Sequence, residues 1–415
     1  MQDFAKAVRA TTEELRGLFP ATPLQWNPHL SEKFQAEIWL KREDLTPVRS
    51  YKLRGAFNAM RKMRVRDPGQ QHFVCASAGN HAQGMAYACR HFGVRGTIFM
   101  PVTTPQQKID KTRTFGGASV TIELTGDYFD QTLAAAQAFC RAEGAHFLAP
   151  FDDPDVIEGQ ASVAAEILEQ LGRAPDMVVL PVGGGGLASG VTRLLREEAP
   201  EVQFRFVEPL GGASLKAALE QGGPVKLNKV NSFVDGAAVA KLGDLTWRHL
   251  DWVRPAQVHL APEDRVCITM LEMLNVEGIV LEPAGALSVD ALPELASEIR
   301  GKMVVCVTSG GNFDFERLPE VKERAQRHAG LKKYFILRMP QRPGALREFL
   351  SMLGPEDDIS RFEYLKKSAR NFGSVLIGIE TKKAENFAMF TGRMDAADFA
   401  YRDITHDEAL AEFLI

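Results

Sequence analysis

Short apolar runs rich in β-branched residues recur between about residues 35 and 315. They are HFVCAS (72–77), GTIFMP (96–101), SVTIEL (119–124), HFLAPF (146–151), DMVVLPV (176–182), FRFVEP (204–209) and GKMVVCVTS (301–309). Between them lie stretches whose apolar positions repeat at helical spacing, among them NHAQGMAYACRHF, FDQTLAAAQAFCRAEG and EGQASVAAEILEQLG. Strands spaced by helices of this length predict βαβ units and a mostly parallel sheet, an α/β architecture. The chain opens on MQDFAKAVRATTEELRGLF, an amphipathic helix pattern without the apolar core and small-residue cleavage site of a signal segment.

The rhythm breaks at the charged stretch PEVKERAQRHAGLKK (319–333), read as a connector able to be helical. Beyond it, KKYFILRMP is strand-like, and Leu346, Phe349, Leu350 and Leu353 follow at helical spacing. ISRFEYLKK and GSVLIGIE are two more strand candidates joined by the hairpin-like turn SARNFG, and a further helical stretch starts near Lys383. The order β-α-β-β-α predicts a small α+β unit over 331–415. The larger unit is expected over 1–325, with a smaller subdomain over about 52–150.

Composition narrows the class. At 415 residues with 45% hydrophobic and 25% charged positions, the chain reads as a globular protein of two or three domains. No apolar run is long enough to span a bilayer, and a net charge of −4 gives no basic footprint for nucleic acid. Cys75, Cys89, Cys140, Cys267 and Cys306 are scattered and odd in number. That pattern predicts reduced thiols in a cytoplasmic protein, without a zinc site or disulfide framework.

Three glycine-rich segments directly follow strand candidates: SAGNH (77–81), GGGGL (183–187) and TSGGN (308–312). Ligands of open parallel sheets sit beyond the carboxyl ends of the strands, where three such loops can converge on one molecule. GGGGL, followed by the helical LASGVTRLLREE, suits a phosphate. Glycines let backbone N–H groups approach an anion, and a helix presents its positive end. It lacks the GK[ST] ending of a P-loop. Lys52, in RSYKLRGAF, has apolar neighbours Tyr51, Leu53, Ala56 and Phe57. Desolvation there favours the neutral amine that Schiff-base chemistry requires.

EDLTPVRSYKLRGAF resembles the lysine signature of the serine/threonine dehydratases, whose fold is shared with the tryptophan synthase β subunit. SAGNHAQG, GGGGL and TSGGN match the same family in order and spacing, over about residues 1–320. The resemblance implies the pyridoxal-phosphate-dependent fold (fold type II), with Lys52 as the catalytic residue that also binds the cofactor covalently. It implies Asn80 near the cofactor's ring hydroxyl, Gly183, Gly184, Gly185, Gly186 and Leu187 on its phosphate, and Ser309 on its ring nitrogen. The substrate carboxylate would lie against Ser77, Ala78, Gly79, Asn80 and His81, with His81 ordering the loop rather than acting as a base. In related racemases a second serine stands where this chain has Ala78, so the loop resembles a dehydratase's. Glu208 aligns with a cation ligand in some relatives, but its acidic partner is Ser214 here, so no metal site is expected. Glu282 is expected to cap or orient a helix near the cofactor. RPGALREF resembles the helix start of the ACT-like regulatory domains of biosynthetic threonine dehydratases, whose effectors are isoleucine or valine.

The function implied is dehydration and deamination of L-threonine to 2-oxobutanoate and ammonia, in isoleucine synthesis, by a homodimer or homotetramer. The alternatives on the same fold are an L-serine dehydratase or a β-replacement or threonine synthase-like enzyme. An amino-acid-sensing binding protein is the alternative of another class, and the intact Lys52, glycine loop and Ser309 argue against it.

Overall fold

The computed structural model of the chain describes residues 4–365 and 371–407. Two compact units divide it, Met1–Asp314 and Phe315–Ile415. The first carries two sheets. Strands β1 (Leu24–Trp26), β2 (Glu37–Arg42), β3 (His72–Ala76), β4 (Arg95–Met100), β5 (Val120–Leu124), β6 (His146–Phe147), β7 (Met177–Pro181), β8 (Gln203–Pro209), β9 (Val258–Ala261) and β10 (Met303–Thr308) supply them. One sheet has the order β1-β2-β10-β7-β8-β9, parallel except for β1; the other is wholly parallel, β5-β4-β3-β6. Strands β3, β7 and β10 are buried at every residue, as continuous apolar runs covered on both faces must be.

All seven expected runs enter these sheets, but HFLAPF does so only through His146 and Phe147. Pro150 has no N–H for a ladder, and the chain leaves the sheet there. The pattern missed β1 and β9, which are short, and β2, whose EIWLKR hides two buried cations behind a polar sequence. The helix read from Glu158 begins at Pro154, where the Asp153 carboxylate accepts the N–H groups of Asp155 and Val156.

This helix, Pro154–Leu171, is the spine of the unit, packed between the helices Lys52–Arg66 and Gly186–Glu198. Its crossing with the lysine-bearing helix needs Gly159: a Cβ there would sit 2.5 Å from the Arg54 carbonyl oxygen and 2.7 Å from Gly55 Cα. Beside that crossing lies a buried charge network. Arg54 donates through Nε to Glu43 at 2.7 Å and through Nη2 to Glu166 at 2.7 Å, while Lys41 Nζ meets Glu166 at 2.6 Å. All four side chains are essentially without solvent. Burial alone would raise the Glu166 carboxyl, but Arg54 and then Lys41 outweigh it and hold its pKa well below the usual range.

The second unit is a four-stranded antiparallel sheet, β12-β13-β11-β14, built from β11 (Lys332–Pro340), β12 (Asp358–Leu365), β13 (Phe372–Glu380) and β14 (Tyr401–Asp403). Phe335, Leu337, Phe349, Ile377 and Phe390 form its core. The helices Ala345–Leu350 and Asn386–Ala396 match the expected order, and β14 is an addition. Two expectations change. The charged stretch near 319–333 is not a connector: helix Leu318–His328 belongs to this unit, and Glu323 accepts Lys332 Nζ at 2.6 Å and the Tyr334 hydroxyl at 2.9 Å. Of the apolar stripe, Phe349 is buried together with Ala345 four positions before it, whereas Leu346 and Leu350 are exposed, since the buried face of this short helix runs through Ala345 and Phe349. The SARNFG turn falls largely outside the described residues.

Glu166→Gln leaves Arg54 and Lys41 facing a neutral amide inside the protein, so a loss of about 3–5 kcal/mol is expected. The pKa of Glu166 is depressed by folding. Its contribution is therefore complete above the ordinary carboxylate value and is lost as pH falls toward its own lower one. Urea midpoints of the two proteins should differ at neutral pH and converge in acid. Equal midpoints at neutral pH would show that the network does not stabilise the fold.

Candidate active site

Each glycine-rich loop follows the carboxyl end of a strand: β7 and β10 are neighbours in one sheet, and Asn312 of the loop after β10 donates at 2.7 Å to Asn80 of the loop after β3 in the other. Lys52 is the first residue of its helix, and its Nζ donates to the Pro150 carbonyl oxygen at 2.8 Å. The amine lies 5.3 Å from the Tyr51 ring centre and 5.9 Å from that of Phe151. Its tip keeps part of its surface open, yet the depth of the surrounding protein desolvates it. Burial lowers its pKa to about 8, against a smaller opposing pull from Glu282. A large share of the lysine is thus a neutral nucleophile near pH 8.

The 183–187 loop is built as an anion cradle. Its N–H groups from Gly183 to Gly186 donate to no acceptor among the described residues. Gly185 adopts φ +90°, and helix Gly186–Glu198 starts immediately behind it. A Cβ on Gly184 would fall 2.3 Å from a ring carbon of Phe151, so the loop admits no side chain at that point. Leu187 turns away from the loop into the apolar core.

Ser77, Ala78, Gly79 and Asn80 are half-buried, whereas His81 is buried. The His81 Nε2 lies 2.9 Å from the Leu148 carbonyl oxygen, an acceptor only, so this nitrogen carries the proton. Burial, then the neighbouring Lys52 charge, drives its pKa down to about 3. The imidazole is a neutral tether for the loop, in line with the ordering role expected of it. Asn80 donates to Glu282 Oε1 at 2.6 Å and accepts from Asn312 at 2.7 Å, which fixes its amide orientation and leaves one N–H to offer. Ser309 is buried, with its hydroxyl 3.2 Å from the Ala284 carbonyl oxygen.

Glu282 stands at the start of helix Pro283–Asp290, but its side chain makes no capping hydrogen bond. It reaches Asn80 instead, and burial, with Asp235 adding to it, raises its pKa to about 7. Glu208 is buried, and its carboxylate accepts the N–H groups of Leu215 at 2.7 Å and Lys216 at 2.9 Å. Its oxygens are spent on a helix start. Among the described residues no cluster of ligand side chains is arranged for a metal ion. All five cysteines are buried thiols outside any disulfide, and burial raises the thiol pKa of Cys75 and Cys306.

The residues that the pattern missed form one stretch. Leu148 holds His81, Pro150 holds Lys52, Phe151 covers Gly184, and Asp152 accepts the N–H groups of Asp244, Leu245 and Thr246 at 3.0, 2.8 and 3.1 Å. The paired aspartates after a proline were the available signal, masked by reading LAPF as strand.

Comparison with known proteins gives the following. Residues 15–310 match the family described as "Pyridoxal-phosphate dependent enzyme". Residues 323–414 match that described as "C-terminal regulatory domain of Threonine dehydratase". The chain is 48% identical to the "L-threonine dehydratase biosynthetic IlvA" of Bacillus subtilis, across 95% of this chain and 93% of that one. It is 44% identical to the protein of the same name from Lactococcus lactis, across 99% of both. Among solved structures it resembles the processed form of threonine deaminase isoform 2 from Solanum lycopersicum, with TM-score 0.72 and 34% identity over 78% of this chain and 94% of that one. No helix among the described residues is long and apolar enough to cross a membrane.

The neutral state of His81 is directly observable. Its imidazole nitrogens should show the Nε2-protonated form without titrating between about pH 5 and 8. A midpoint near the ordinary 6.5 would show a solvated ring and release the loop from its Leu148 tether.

Proposed function

This chain belongs to the threonine dehydratases of the pyridoxal-phosphate-dependent enzyme family, and from that membership we propose that it converts L-threonine to 2-oxobutanoate and ammonia, supplying isoleucine synthesis. The observation that carries the proposal is the pairing of a lysine lowered to about pKa 8 with a side-chain-free N–H cradle behind β7. Both features fit pyridoxal phosphate, one for its aldehyde and one for its phosphate.

When bound, the cofactor supplies the electron sink for charge developing at the α-carbon. The protein does the rest. Gly183 to Gly186 and the helix behind them hold the phosphate through N–H groups and the helix dipole. Asn80, oriented by Glu282 and Asn312, offers its remaining N–H to the ring hydroxyl, and Ser309 faces the ring nitrogen as a neutral partner. The Ser77–His81 backbone receives the substrate carboxylate. Lys52 in its neutral form takes the α-proton as general base, after which hydroxide leaves the β-carbon; the α-proton and the hydroxide together account for the one water lost. Hydrolysis of the product enamine's imine tautomer returns the water and releases ammonia, so the net change is threonine to 2-oxobutanoate plus ammonia. Ala78 carries no proton to the opposite face of the α-carbon, which favours elimination over racemisation.

We place the catalytic unit in Met1–Asp314 and the regulatory unit in Phe315–Ile415. The second unit is the proposed binding site for isoleucine or valine, and the protein is proposed to work as a cytoplasmic homodimer or homotetramer.

Lys52→Ala is expected to abolish release of 2-oxobutanoate from threonine and of the corresponding oxo acid from serine. Turnover like wild type would remove Lys52 from the chemistry. For the wild-type apoprotein, capture of pyridoxal phosphate should accelerate roughly tenfold per pH unit below the lysine's pKa and level off above it. The levelling is expected near pH 8; a rise continuing toward the ordinary lysine value would show a solvated amine. In the tail, a chain ending at Asp314 should keep its activity and lose any response to isoleucine or valine. Inhibition persisting in that shortened, folded chain would put the effector site in the catalytic unit.

A further inference from the structure

Two carboxylates in the first unit are spent on helices that are not their own. Asp152 accepts the first three N–H groups of helix Asp244–Leu250, whose own cap residue, Gly243, offers no side chain. A Cβ on Gly243 would lie 2.2 Å from the Asp152 carboxylate, so the glycine makes room for it. Glu208 does the same at helix Ser214–Gln221 through the N–H groups of Leu215 and Lys216. Each clamped helix carries a hydroxyl in its first turn, and each hydroxyl reaches the glycine loop. Thr246 Oγ1 donates to the Gly184 carbonyl oxygen at 2.8 Å, and Ser214 Oγ to that of Gly183 at 3.2 Å.

The consequence follows from peptide planarity. In a trans peptide the C=O of one residue and the N–H of the next point in opposite directions. A hydroxyl that fixes the Gly184 oxygen therefore aims the Gly185 N–H the other way, and one that fixes the Gly183 oxygen aims the Gly184 N–H. Glycines have the widest choice of backbone conformation, so peptides between them need an external brace to hold one orientation.

We propose that Asp152 and Glu208 are positioning residues for the phosphate of the cofactor: each clamps a helix whose hydroxyl, Thr246 or Ser214, sets one of two consecutive peptides in the Gly183–Gly186 cradle. This rests on the assignment of that loop to the phosphate. It gives Glu208 a task that needs no cation, and it makes two residues from remote parts of the chain determinants of cofactor grip. Glu208 accepts Ser214 Oγ only at 3.5 Å, so the serine proton belongs to the Gly183 carbonyl.

The test compares two probes on apoprotein: pyridoxal phosphate, and pyridoxal, which lacks the phosphate. Thr246→Val removes one hydroxyl at nearly constant volume and should weaken pyridoxal phosphate by roughly three- to tenfold, leaving pyridoxal unchanged. Ser214→Ala should do likewise. Asp152→Ala should match Thr246→Val, and the double variant should be no weaker than either single one, because both act on one peptide. The phosphorus-31 resonance of the retained cofactor should shift in each. Equal weakening of both probes would reduce these residues to general stability and overturn the proposal, as would a Thr246→Val protein that binds pyridoxal phosphate like wild type. Gly184→Ala serves as the control. If it retains pyridoxal phosphate fully, the loop is not the phosphate site and the proposal falls with that assignment. If it loses the cofactor while the hydroxyl variants do not, only the bracing is refuted.

Discussion

The placement of Lys52 depends on a cation two residues away from it. Arg54 is fully buried and can exist there only because Glu43 and Glu166 surround its guanidinium, with Lys41 sharing Glu166. Moving such charges from water is expensive, and only good geometry offsets it. The geometry is good because the partners come from three places: the end of β2 supplies Lys41, the turn after it Glu43, and the spine helix Pro154–Leu171 Glu166. Thr22, near the start of the chain, closes the ring: its hydroxyl donates to Glu43 at 2.6 Å and its backbone N–H to Glu166 at 3.3 Å. An apolar contact could slide by a fraction of a turn; a fork of directed hydrogen bonds cannot. The start of the lysine helix is thereby locked in rotation, and Lys52 points at Pro150.

Around that fixed point burial pushes the ionisable groups toward their neutral forms. Burial, then the Lys52 charge, keeps His81 from taking a second ring proton, Glu282 is pushed toward neutrality by burial and by Asp235, and Lys52 is lowered by burial. One physical cause, desolvation, thus acts on an imidazole, a carboxyl and an amine, and in each case it disfavours the charged form. Under the proposed function the charge to be managed would be brought by the cofactor's phosphate, and it would meet backbone N–H groups and a helix end rather than mobile side chains. Such donors are preorganised and need no rearrangement when charge shifts during reaction.

Much of this was legible in the residues. Apolar runs covered on both faces gave seven strands, and glycines placed just after three of them marked the loops that meet. Lys52 stood out by its apolar neighbours. What stayed hidden shares one property, separation along the chain. Asp152 and Thr246 are 94 positions apart, and Asn80 and Glu282 are 202 apart. Neither pair leaves a local period or spacing. LAPF carried a local signal, but its apolar content outvoted the proline, so a site segment was read as strand. The strand EIWLKR was missed for the opposite reason: its Lys41 and Arg42 look solvent-facing until their partners Glu166 and Asp44 are in place.

The stretch from Leu148 to Asp153 touches the Ser77–His81 loop through Leu148, Lys52 through Pro150, the glycine loop through Phe151 and the spine helix through Asp153. Such wiring has an evolutionary price. A substitution there perturbs several properties together, so base strength, cofactor grip and loop order are inherited as one block instead of being tuned one at a time. There is more freedom to vary elsewhere, at positions such as Gly223, where an added side chain would meet open space. The molecule is in this sense modular at its rim and indivisible at its centre.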